Sequence, residues 1–163
     1  MGDKKLRTVL WFDGGIEEAA RFYADTFPDS SYEPVVRAPA DFPSGKDGDP
    51  LVLDLVICGR DFQLLNGGDV GFGPSMATSF MVETADQEET NRIWDAILAA
   101  GGSEVQCGWI TDPYGYSWQI TPRILNEALA SDDRAKAKAA FEAMMPMVRI
   151  DIATIEAAIE GAK

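Results

Sequence analysis

The sequence predicts an α+β fold in which helices cover one face of each sheet and the other face is left free to curl into a cavity. Two observations predict it. The order strand, helix, three strands runs twice along the chain, and a helical stretch follows the second copy. With only one helix per half, the helices pack on one sheet face.

The first module spans about residues 6–66. Leu6 to Phe12 is apolar, β-branched and aromatic, which predicts a strand ended by Asp13-Gly14-Gly15. Ile16, Ala19, Ala20, Tyr23 and Phe27 then fall at helical spacing, with Glu17 and Glu18 in a first turn whose dipole favours anions. Pro28 stops this helix. A weaker strand is expected from Tyr32 to Arg37. The stretch from 39 to 50, rich in Pro, Gly and Asp, is the longest irregular segment; it is read as a solvated loop, with a mobile lid as the alternative. Leu51 to Ile57 and Phe62 to Asn66 read as a hairpin joined by a tight connection from Cys58 to Asp61.

Gly67 to Pro74 is a Gly-rich linker, and the second module follows at about 76–121. Met76 to Val82 is its first strand. Thr84 and Gln87 have capping-box spacing, which places a helix start there, and Ile93, Trp94, Ile97 and Leu98 form the helix's apolar face before Gly101-Gly102 ends it. Ser103 to Ile110 is the next strand. Asp112-Pro113-Tyr114-Gly115 has type I turn chemistry and leads into a last strand from Tyr116 to Thr121, whose register points Gln119 away from the helix-covered face and Trp118 onto it. The tail, 123–163, is helical: Arg123 to Leu129, a helix capped by Ser131 and broken by Pro146, and a final helix capped by Asp151. Met144, Met145 and Met147 read as core filling, with a partner surface as the alternative. The whole chain is expected to form a single domain.

Composition narrows the function. The 163 residues carry 27 acidic and 14 basic side chains, a formal net charge of −13. Such a surface repels phosphate backbones and anionic lipid, so neither nucleic acid nor membrane is an expected partner. No apolar run has the length of a membrane span or the character of a signal peptide, so the expected compartment is the cytoplasm. Cys58 and Cys107 lack metal-type spacing and read as small buried hydrophobes, with a disulfide as the alternative. There is no histidine, which removes the commonest metal ligand and general base and excludes any His-dependent nucleophile.

Several segments resemble a known family. Leu10-Trp11-Phe12-Asp13-Gly14, Glu17-Glu18-Ala19, Phe22-Tyr23 and Phe27-Pro28-Asp29-Ser30 are similar to the opening of the PhnB-like branch of the glyoxalase, or vicinal oxygen chelate, superfamily. Leu65-Asn66-Gly67-Gly68 and Gln106-Cys107-Gly108-Trp109 resemble its central signatures, and Asp112 to Gln119 its closing one. The resemblance implies paired βαβββ modules in a half-open barrel, a homodimer, and a cup in which relatives hold a divalent metal. Carried over, the family's metal-ligand positions fall on Thr8, on or near Gln63, near Ala77 or Ser79, and on Gln119. Amide and hydroxyl oxygens are neutral, poor donors for a transition metal. The expectation is therefore no metal and no cofactor, with a small organic metabolite held by Thr8, Gln63, Ser79, Ser117 and Gln119 among Leu10, Phe12, Leu65 and Met81. Two alternatives stay open: a metal-dependent lyase, isomerase or dioxygenase using Asp54, Glu83 or Asp13, and a dimeric interaction protein whose polar groups satisfy one another. Members of the branch are often described as demethylubiquinone methyltransferases; here no strand followed by a Gly-rich turn that opens a helix is expected to hold adenosylmethionine, since Gly67-Gly68 leads into another strand.

Overall fold

The computed structural model describes residues 6–162. The chain divides into two compact units, Met1–Gly73 and Pro74–Lys163. Each unit contains one open sheet, and the described residues form no closed barrel.

In the first unit, β1 (Thr8–Phe12) leads through Gly14 and Gly15 into α1 (Ile16–Thr26). Both glycines have positive φ, a conformation that costs them little. A strand, a glycine turn and a helix do therefore follow one another here, contrary to the sequence-based expectation. The weak strand splits into β2 (Ser31–Tyr32) and β3 (Val36–Arg37), because Pro34 between them has no N–H to give a ladder. β4 (Pro50–Ile57) and β5 (Arg60–Asn66) form the hairpin. Its turn is only Cys58-Gly59, both left-handed with φ of 48° and 71°, the backbone that a two-residue hairpin requires. The sheet runs β1-β5-β4-β2, with β1 parallel to β5. Leu53, Leu55 and Ile57 alternate onto the face beneath α1, where Ala19, Ala20 and Tyr23 are fully buried.

The second unit repeats that order. β6 (Ser79–Thr84), α2 (Gln87–Ala99), β7 (Ser103–Glu104), β8 (Trp109–Thr111) and β9 (Ser117–Pro122) give a sheet β6-β9-β8-β7, with β6 parallel to β9. The expected strand from Ser103 to Ile110 is broken by a reversal at Gln106-Cys107-Gly108-Trp109, where Cys107 and Gly108 are both left-handed. The cap of α2 is Asp86, not Thr84. Its carboxylate accepts from Glu89 N, and Glu89 returns the contact to Ala85 N. Thr84 is instead buried and bonded to Thr90. Asp112 closes the turn between β8 and β9: its buried carboxylate accepts from the Tyr114 and Tyr116 amides and from Trp118 Nε1.

The tail belongs to the second unit. α3 (Arg123–Leu129), α4 (Arg134–Met144) and α5 (Ile152–Gly161) share a small core of Leu125, Ala128, Ala140, Ile150 and Ile155, against which Met144 and Met147 pack. Met145 departs from the expected filling and stays exposed. The cap of α4 is Asp133, two residues past Ser131, because only its carboxylate reaches the Ala135 and Lys136 amides. Gln87 on α2 anchors the tail, donating to Ile150 O and accepting from Ile152 N, and Arg149 lies over the Trp94 ring.

Candidate functional site

Strand register decides which side chains leave the core, since neighbours in register share a face. In the first unit β1 aligns Val9 with Gln63 and Trp11 with Leu65, and β4 sets Asp54 opposite Gln63. The helix-free face thus carries Val9, Trp11, Asp54, Gln63 and Leu65. Val9 and Trp11 are 49% and 45% exposed, unusual values for such side chains in a sheet.

The expected grouping of Thr8, Leu10 and Phe12 with Gln63 and Leu65 is corrected by this register. Leu10 and Phe12 are buried, and Leu10 pairs with Leu64 beneath α1; Thr8 lies on their side of the strand, at its exposed end. The Asp13-Gly14-Gly15 turn separates β1 from α1, so the helix does not fix which residues of the strand face it. A turn breaks the strand's two-residue period, and a slip of one exchanges the faces.

In the second unit Ser79 pairs with Ser117 and Met81 with Gln119, so all four share a face, and Trp118 lies opposite, 1% exposed. Trp109 is the direct cross-strand neighbour of Gln119. Trp11 and Trp109 are the site-facing residues that sequence reasoning missed. Both stood inside quoted motifs, and alternation from Gln63 and Gln119 would have found them once the pairing was known.

The polar groups on these faces are mutually bonded. Gln63 Nε2 donates to Asp54 Oδ1 at 2.7 Å, and Arg7 Nη1 donates to the same oxygen at 2.8 Å. Gln119 Nε2 donates to Ser79 Oγ at 2.8 Å. At the far end of β6, Glu83 accepts from Asn126 and Arg123, and these contacts hold its carboxyl below the usual carboxylate range, Asn126 foremost. Two of the carboxylates offered in place of a missing histidine are thus taken: Asp54 faces an arginine and an amide, and so does Glu83. Among the described residues no three His, Cys, Asp or Glu side chains gather as a metal cluster. The donor set does not fit a transition metal, because neutral amides and arginine-paired carboxylates offset little of the cation's dehydration. Nor does the Gly14-Gly15 turn fit the carboxylate of adenosylmethionine. Gly14 N is given to Asn66 Oδ1, and Glu17 and Glu18 stand in the first turn where an anion would sit.

The segment from 39 to 49 is tied down by contacts of its own. Phe42 and Gly45 bridge, Gly48 N donates to Ala38 O, and Ser44 Oγ donates to Gly67 O at 2.6 Å.

Two βαβββ modules with uncovered sheet faces define a glyoxalase-like protein of the vicinal oxygen chelate superfamily, and the solved structures similar to this chain agree. The PhnB protein of Bacillus cereus is 28% identical with a TM-score of 0.65, over 73% of this chain and 99% of its own. A Pseudomonas aeruginosa protein is 19% identical with a TM-score of 0.58, over 72% and 98%. The fosfomycin-resistance protein FosX of Listeria monocytogenes, crystallised with Mn(II) and sulfate, is 14% identical with a TM-score of 0.51, over 79% and 97%; it shares the fold alone. The chain belongs to the 3-demethylubiquinone-9 3-methyltransferase family, whose model matches residues 4–121. The match ends at the close of β9, so the helical tail lies beyond it. No curated protein is significantly similar. Among the described residues no helix is long and apolar enough to cross a membrane.

Proposed function

We propose that this chain binds a small, partly apolar organic metabolite on the sheet faces opposite α1 and α2, and does so without a metal. The observation that carries the proposal is the pairing, in each module, of an outward aromatic or aliphatic surface with one glutamine: Trp11 and Val9 beside Gln63, Trp109 and Met81 beside Gln119. Apolar walls with a few fixed polar groups are what organic-ligand sites use. A metal-dependent activity has less support, since the glutamines are neutral and Asp54 and Glu83 are paired with arginines. Methyl transfer has less support for the reason given at Gly14-Gly15.

Gln119→Ala tests the proposal. Gln119 and Ser79 are both part-exposed, so water replaces the lost contact and the fold stays nearly intact. Ligand affinity falls about two- to tenfold, the worth of one hydrogen bond. A drop in stability of about 1–3 kcal/mol, with no ligand class shifting the wild-type melt, would show a satisfied structural pair and favour the interaction-protein alternative.

The working unit is proposed to be a cytoplasmic homodimer. Its support is the family and the exposed apolar side chains Phe141, Met145 and Val148 on the tail. Light scattering at micromolar concentration checks this, and a monomer mass across that range contradicts it.

A further inference from the structure

Trp11 is held more firmly than a half-exposed indole needs to be. Its Nε1 donates to Gly68 O at 2.7 Å. Gly67 lies against the six-membered ring, so closely that a Cβ there would collide with it. Gly67 is fixed in turn: its amide donates to Phe12 O, and its carbonyl accepts from Ser44 Oγ. One side of the ring is therefore backed by peptide, while the side chain keeps 45% of its surface exposed. A flat aromatic surface held in one orientation is a stacking platform obtained before any ligand arrives.

Beside it, on the same sheet face, the amide of Gln63 has a direction fixed by charge. Asp54 is an acceptor only, already paired with Arg7, so the group that Gln63 turns toward it at 2.7 Å must be the NH2. Gln63 Oε1 then points away. Among the described residues it accepts no hydrogen bond, and neither does Asp54 Oδ2. Neither oxygen is sealed from solvent, since no buried side-chain oxygen lacks a partner. The face thus offers a fixed ring and two acceptors, while one of the two N–H bonds of Gln63 and the Arg7 guanidinium are turned to Asp54.

We infer that this first-unit face takes a planar ligand that carries an O–H or N–H donor, stacked on Trp11 with its donor given to Gln63 Oε1, and that it discriminates against planar carboxylates. The inference rests on the binding function proposed above and names its ligand class. An anionic ligand would meet the oxygens of Gln63 and Asp54, whose charge Arg7 offsets only in part, and the −13 charge of the chain adds to that repulsion.

Three naphthalenes of one shape test it: 2-naphthol, which donates; 2-methoxynaphthalene, which does not; and 2-naphthoate, which is an anion. Each is titrated into the full chain while the indole N–H resonances, assigned by single Trp replacements, are followed by NMR. The expected order is naphthol tightest and naphthoate weakest, with Trp11 as the resonance that moves. Gln63→Met keeps size and removes the acceptor, so the two- to tenfold advantage of naphthol over its methyl ether, about one hydrogen bond, disappears. Trp11→Ala abolishes binding of all three at this face, and its own melt shows that the fold persists. Equal affinity for naphthol and its ether, tighter binding of naphthoate, or a naphthol preference that survives Gln63→Met overturns the assignment. Probes that move only Trp109 overturn it too and leave the wider binding function standing. Failure of all three probes, together with an empty ligand screen, overturns both.

Discussion

Gln63 on β5 and Gln119 on β9 hold the same place in their modules. Each lies on the strand parallel to the module's first strand, faces away from the helix, and has one apolar neighbour across the pairing, Val9 for the first and Met81 for the second. They differ in what they bind. Gln63 donates to a carboxylate, which cannot donate back, whereas Gln119 meets a serine hydroxyl, which can give or take a proton. The first amide is locked and the second can turn over. Duplicated topology has therefore produced one face with a fixed hydrogen-bonding sense and one that adapts, because the partner comes from β4 in the first module and from β6 in the second, where Trp109 holds the place of Asp54.

The modules also use tryptophan in opposite ways, and this contrast predicts the largest effect. Trp118 is 1% exposed and donates to buried Asp112, while Trp11 is half-exposed and rests on a glycine turn. Trp118→Ala should cost about 3–5 kcal/mol in paired urea melts. Trp11→Ala, at a position with no core to collapse, should cost less than about 1.5 kcal/mol. Equal losses would remove the distinction between a core ring and a platform ring.

A smaller effect separates the charged groups. Glu83 is held below the ordinary carboxylate value of 4.5 by Asn126 and then Arg123. A carboxylate whose folded-state value is depressed stabilises the fold above its unfolded value, and that contribution is lost as pH falls through the folded value. Stability measured from about pH 5 to pH 3 should fall slightly less steeply in Glu83→Gln than in the wild type, the pair being exposed and screened. Identical slopes would remove Glu83 from the anchoring of α3 to β6.

How far the sequence carried these conclusions differs by element. α1 and α2 were legible because apolar residues at helical spacing must face a core, and the turn at Asp112-Pro113-Tyr114-Gly115 because each residue there suits its own position. The parity of β9 was legible for the same reason: the turn sits only two residues away from the strand start and fixes its register. β1 was not. Its sequence alternates weakly, with Val9, Leu10, Trp11 and Phe12 all apolar, so nothing local says which pair faces α1. Only pairing with β5 decides it, and pairing is long-range. The caps at Asp86 and Asp133 were each displaced by two residues because Thr84 and Ser131 are also good capping types, and competition between nearby candidates is settled by which side-chain oxygen reaches the free amides. The strand break at Cys107-Gly108 was hidden because cysteine rarely takes a left-handed backbone.

Ligand binding on the sheet faces opposite α1 and α2, without a metal, is tested by a ligand-dependent thermal melt run twice. The wild-type chain is screened against small planar and partly apolar metabolites, first after dialysis and then in excess EDTA, with elemental analysis of the same sample. A ligand that binds the folded state raises the melting temperature in proportion to the logarithm of its concentration over Kd. The same hits and the same shifts are expected in both runs, with far less than one zinc, nickel, iron or manganese per chain. Shifts that vanish in EDTA and return with added metal, or a stoichiometric metal in the dialysed protein, would contradict it.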